Sequence, residues 1–147
     1  MNKCLQLSTL LVALMVSASV SARNDKEMFS LEDALNTPVA KEKLDPEIKL
    51  YFGNQSHPKV AKELGEWKTN KKTNGFNKTD KEACEWVFVT AALELQQRAR
   101  KEGGDAVINI KSNYQNIETN SDTEYMCGNG TFTTGVAFKG TVIKLAK

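Results

Sequence analysis

Only a handful of side chains in this sequence have chemistry to offer, and their spacing limits what that chemistry is. His57 is the single histidine among 147 residues, which makes it the natural general acid or base. Its neighbour Ser56 stands in no recognisable nucleophile motif, so a turn position before Pro58 competes with a catalytic role. Glu82 and Glu85 are three residues apart and share one helical turn; their charge suits a helix N-terminus as well as a carboxylate pair. Glu118, Asp122 and Glu124 offer oxygens to a cation, but their spacing matches no calcium loop. Trp67 and Trp86 fit either a core or a ligand platform. A basic cluster of Lys68, Lys71, Lys72, Lys78 and Lys81 is interleaved with Thr, Asn and Gly, as in a solvated loop. A phosphate-binding loop needs Gly-x-x-x-x-Gly-Lys-Ser/Thr. Gly130-Thr131-Phe132-Thr133-Thr134-Gly135 starts that way, but Val136-Ala137 stand where the lysine and the hydroxyl belong. No catalytic residue, metal ligand set or cofactor is assigned, and a non-enzymatic protein is expected.

The cysteines depend on where the protein folds. Met1-Asn2-Lys3 gives a positive start, Leu5–Val16 an apolar run broken by Gln6, Ser8 and Thr9, and Ser17–Ala22 a series of small residues. That is the layout of a secretory signal, with Val20 at −3 and Ala22 at −1, so cleavage is expected between Ala22 and Arg23. The run is too short and too polar for a membrane-spanning helix. Cys4 precedes it and is lost on cleavage, which leaves no lipid anchor. The mature chain then keeps two cysteines, Cys84 and Cys127. In an oxidising compartment one disulfide between them is the economical outcome. Two cysteines and one histidine are too few for a structural zinc, and no Cys-x-x-Cys points to redox chemistry.

The elements that must position these residues follow from periodicity. Residues 23–147 form one domain of ordinary size. Cleavage removes only Lys3 from a net charge of +2, leaving +1, and so no general electrostatic drive toward nucleic acid or anionic lipid. Residues 23–47 are expected to be a helical extension: Ser30 caps a short helix with Asp33 at its third position, Thr37-Pro38 stops it, and another turn covers Ala40 to Leu44. Ile48–Gly53 and Lys62–Lys72 are expected strands, and Gly75 sits in a polar loop. Thr79 or Asp80 caps the strongest element, a helix with Cys84, Val87, Phe88, Ala91, Leu95 and Ala99 on its buried face. Trp86, Val89 and Leu93 widen that face, and Glu85, Glu94, Gln96, Arg98 and Arg100 take the wet side. Gly103-Gly104 ends the helix. Asp105–Ser112 is a strand with Asp105 turning the chain into it, Asn113–Asp122 a loop, Tyr125–Cys127 a strand, Gly128-Asn129-Gly130 a turn and Thr131–Leu145 a long strand. Gly135 and Gly140 in that last strand mark bulges or close packing. The order β-β-α-β-β predicts an α+β two-layer sandwich, one long helix on a mostly antiparallel sheet.

Several of these segments resemble a known group. Tyr51-Phe52-Gly53, Ala83-Cys84-Glu85-Trp86, Gln97-Arg98-Ala99, Gly103-Gly104-Asp105-Ala106-Val107-Ile108-Asn109-Ile110, Tyr125-Met126-Cys127 and Gly135–Gly140 look like small exported bacterial proteins often named excinuclease ATPase subunit. The absent phosphate-binding lysine argues that this name was mis-transferred. More distantly, a helix followed by Gly-Gly-Asp-Ala-Val and a strand is similar to the YbjQ- and RcsF-like domains. The resemblance implies a fold and a periplasmic location, and supplies no active site. Three functions stay open. They are a non-enzymatic domain binding an envelope protein or small ligand in stress or assembly, a homo-oligomeric structural module, and a hydrolase using His57.

Overall fold

The computed structural model describes residues 22–147, so the expected signal peptide, apart from Ala22, lies outside the described residues. The elements run β1 (Asn24–Ser30), α1 (Leu31–Leu35), α2 (Pro38–Lys43), β2 (Lys49–Phe52), β3 (Val60–Asn74), α3 (Asp80–Glu102), β4 (Ala106–Ser112), β5 (Glu124–Gly130) and β6 (Thr133–Leu145). They make an α+β fold of one six-stranded sheet and one long helix. Strand β6 is the spine. β3 pairs along its whole length on one side, while on the other β5 takes its first residues and β4 its second half. β1 then extends β5, and β2 extends β4. Every one of these ladders is antiparallel except β2–β4, where β3 and α3 intervene in the chain and return it in the same direction.

The long helix forms where the sequence punctuates it. Thr79 Oγ1 accepts from the Glu82 amide at 3.1 Å and Glu82 Oε2 accepts from the Thr79 amide at 3.1 Å, a closed capping box. Gly103, with φ of +75°, stops the other end in a conformation that favours glycine. The predicted apolar stripe from Cys84 to Ala99 is fully buried. It packs with Phe52, Tyr125 and Phe138 around Phe88, whose ring centroid lies 4.6 Å from that of Tyr125. Burying a side chain the size of Phe88 stabilises by about 1.5–3 kcal/mol. Gly140 faces this core, where a Cβ would come 2.8 Å from Val107 Cγ1, so the expected close packing is the reason for glycine there. The Cys84 and Cys127 sulfurs are at bonding distance, 2.06 Å, and both residues are fully buried, so α3 is tied to β5.

Several expectations need correction. Residues 24–30 are an edge strand, not part of a helical extension; short helices begin only at Leu31. β1 is exposed on most of its length and held by main-chain pairing to β5, so its charged residues carry no apolar alternation. The helix start that Ser30 and Asp33 predict does form, with Ser30 Oγ accepting from the Asp33 amide at 3.1 Å. Gly128-Asn129-Gly130 is not a turn but the end of β5, and the chain reverses at Thr131-Phe132. Glycine is needed at 128 because the Tyr114 ring lies over it: a Cβ would sit 2.1 Å from that ring. Gln96 is buried, not wet, because it bonds the backbone before β2. Trp86 is 47 % exposed and widens no core. Lys68, Lys71 and Lys72 lie on strand β3 rather than in a loop.

Candidate functional site

A groove between β3 and α3 gathers the unused polar chemistry of the molecule. Alternation along a strand sends every second residue to one face, and β3 directs Trp67, Thr69 and Lys71 toward α3. The helix presents Glu94, Gln97, Arg98 and Lys101, the spacing of a single helical stripe. Between them lies a groove of about 240 Å³. Its inner wall is unusual. Trp67 Nε1 and Thr69 Oγ1 are shielded from solvent and have no hydrogen-bond partner, although Thr69 is only 5 % exposed. Buried polar groups are nearly always paired, so two orphans in one groove are a notable exception. Glu94 Oε2 is also shielded; it lies 3.0 Å from Lys71 Nζ, near enough for an ion pair but off the line of a hydrogen bond.

Gly65 sits at a β-bulge with φ of +124°, and a Cβ there would lie 3.5 Å from Trp67 Nε1. The Arg98 guanidinium stacks 4.2 Å above the Trp67 ring centroid, which fixes both side chains. Arg98 also bonds Glu102 at 3.4 Å, one turn further along. The groove thus combines the stacked Arg98 guanidinium and the ammonium groups of Lys68 and Lys101 with the Glu94 carboxylate and the Gln97 amide, so donors outnumber acceptors. It can hold an acceptor-rich group.

Of the residues singled out from sequence, Trp67 and Lys68 line the groove and Lys71 borders it, while the others lie elsewhere. His57 is exposed, with Nδ1 2.8 Å from the Pro58 carbonyl oxygen and its ring 5.7 Å from that of Tyr51. Glu82 is used in the capping box, and Glu85 pairs with Lys81 at 3.3 Å. Glu118 accepts from Lys139 at 2.5 Å and from Lys111 at 3.4 Å, and these ammonium groups hold its carboxyl below the usual range. Asp122 caps the Asn54 amide at 2.6 Å, and Asp105 Oδ2 accepts from the Leu145 amide at 2.9 Å. Among the described residues no three His, Cys, Asp or Glu side chains group as metal ligands would. Thr69, Gln97 and Lys101 were not singled out from sequence. A signal was there: Glu94, Gln97, Arg98 and Lys101 repeat at helical spacing beside the apolar stripe.

Compared with family models, with curated proteins and with solved structures, the chain matches none. The groove must therefore be read from its own chemistry.

Proposed function

We propose that this chain is an exported, non-enzymatic domain of the periplasm that binds a small ligand bearing a carboxylate or phosphate in the groove between β3 and α3. One observation carries the reading: Trp67 and Thr69, whose Nε1 and Oγ1 are buried without partners, belong to the same groove as Arg98 and Lys101. An orphaned buried donor costs about 1–3 kcal/mol, which an oxyanion in the groove recovers. Lys68 and Lys101 line the groove beside Arg98, which pairs with Glu102, and the one lining carboxylate, Glu94, faces Lys71. Charge-assisted hydrogen bonds to such an anion are stronger than neutral ones. Export is supported by the signal-like N-terminus and by the paired Cys84 and Cys127. The long helix on a single sheet agrees with the two-layer sandwich of the YbjQ- and RcsF-like domains. A hydrolase using His57 draws no comparable support, since the imidazole faces a carbonyl oxygen and a tyrosine ring.

The test uses the protein purified from the periplasm, where its first residue is expected to be Arg23. Two tryptophans give two indole N–H signals in a nitrogen-15 correlation spectrum. Titration with inorganic phosphate and with citrate, at fixed ionic strength, is expected to shift the Trp67 signal saturably and leave Trp86 in place. Thr69→Val and Arg98→Ala are expected to weaken saturation about tenfold or more each. Two unmoved signals, or two signals drifting together without saturation, overturn the proposal.

A further inference from the structure

Large apolar side chains are buried almost everywhere in this molecule, with one concentrated exception. Phe76 and Phe132 are 56 % and 63 % exposed, and their ring centroids are 5.9 Å apart. Phe76 belongs to the loop between β3 and α3, and Phe132 to the tight turn between β5 and β6. One backbone bond joins the two loops, the Gly75 amide donating to the Phe132 carbonyl oxygen at 2.9 Å, and within the first loop the Phe76 amide donates to Asn74 Oδ1 at 2.9 Å. The two rings are therefore carried by loops tied to each other beside them. Hollows of about 480 and 430 Å³ flank Phe132, one on the Phe76 side and one on the side of Ala22. Exposed apolar surface gathered at one tip marks a contact surface.

Charge chooses the partner. No Asp or Glu lines either hollow. Lys72, near the end of β3, lines the first, and Lys78 lies in the Phe76 loop with Nζ donating to the Asn74 carbonyl oxygen at 3.2 Å; neither forms an ion pair among the described residues. The mature chain has almost no net charge, so this is a local arrangement and not a general basic surface.

We infer that the Phe76–Phe132 tip is a membrane-contact surface, which inserts two rings among the acyl chains of an anionic bilayer while Lys72 and Lys78 meet its phosphates. The contact is peripheral: among the described residues no helix is long and apolar enough to cross a membrane. It is independent of the groove, whose residues are not part of the tip.

Co-sedimentation of the mature chain with vesicles decides it. Binding is expected to vesicles of phosphatidylglycerol in phosphatidylethanolamine and to be much weaker on phosphatidylcholine alone. The double variant Phe76→Ser/Phe132→Ser is expected to lower partition about tenfold or more, because each ring gives up its apolar burial. Lys72→Gln/Lys78→Gln is expected to lower binding only on the anionic vesicles, and added salt to mimic it. The inference is overturned if the wild-type chain stays in the supernatant, or if the serine variant binds as well as wild type. It is also overturned if the serine variant instead converts a dimer to a monomer, since a second copy then covers the tip. If the double variant fails to fold, spin-labelled lipid added to the wild-type chain replaces it. Signal broadening confined to the Phe76 and Phe132 region upholds the contact, and absent or uniform broadening overturns it.

Discussion

Single residues in this protein differ sharply in what their polar atoms do. Tyr125 is fully buried, and its hydroxyl has no hydrogen-bond partner. Burial holds that hydroxyl well above the ordinary tyrosine pKa, with the charges of Glu85 and Asp33 adding to the effect. It lies against Phe88 and is not part of the groove, so no ligand is proposed to relieve it. Tyr125→Phe is therefore expected to be neutral or to stabilise by up to about 1 kcal/mol, since removing an unpaired buried hydroxyl removes a desolvation cost. Urea unfolding checks this through a midpoint that stays or rises with an unchanged slope. A loss beyond about 1 kcal/mol would mean that the hydroxyl has a partner, such as a trapped water. Asn129 provides the contrast. Its Nδ2 donates to Cys84 Sγ at 3.4 Å and its Oδ1 accepts from Thr134 Oγ1 at 3.1 Å, so a buried amide is used on both sides.

Among the elements, α3 organises its surroundings through polar as well as apolar contacts. Gln96 Nε2 donates to the carbonyl oxygens of Asp45 and Ile48 at 2.9 and 2.8 Å, and Gln96 Oε1 accepts from the Asp45 amide at 2.8 Å. One side chain thereby satisfies the backbone of the turn that leads into β2. Arg100, one turn along, bonds Asp45 at 2.5 Å and Glu47 at 2.6 Å, and its charge holds the Asp45 carboxyl below the usual range. Gln96→Leu keeps the volume but abandons the Asp45 amide and the Ile48 carbonyl, and leaves the Asp45 carbonyl only its 3.3 Å bond from the Ile48 amide. A loss of about 3 kcal/mol or more is expected in chemical unfolding, because buried groups left unpaired cost their full desolvation. Hydrogen exchange is expected to rise first around 45–50. A loss under about 1 kcal/mol would show that water reaches this turn and replaces the glutamine.

At the scale of the whole molecule, the Cys84–Cys127 link joins the first turn of the long helix to a strand 43 residues later. Closing a loop of that length restricts the unfolded chain by about 4 kcal/mol in the chain-entropy description. Cys84→Ala/Cys127→Ala is expected to lose stability of that order, read by thermal or urea unfolding against the oxidised wild type. Because both sulfurs are buried, dithiothreitol is expected to reduce the bond no faster than the domain unfolds. Rapid reduction of the folded protein would contradict a structural staple and point to redox exchange.

Much of this architecture is legible in the sequence alone, because local periodicity and punctuation do not depend on what lies opposite. The α3 stripe from Cys84 to Ala99, its Thr79 cap and Gly103 stop, and the Ser30 cap all follow from spacings within a few residues. The pairing of Cys84 and Cys127 was expected from their count once residues 1–22 are set aside, and their sulfurs stand at bonding distance. Tertiary structure decided the rest. β1 is invisible locally, since an exposed edge strand is stabilised by its neighbour's main chain and needs no apolar alternation of its own. The meaning of Gly128 depends on Tyr114, fourteen residues away, and the burial of Gln96 on a turn some fifty residues upstream. The groove belongs to the same class. Trp67 and Thr69 become orphans only where β3 lies beside the polar stripe of α3, so their unpaired state is a property of two elements together and of neither sequence segment by itself.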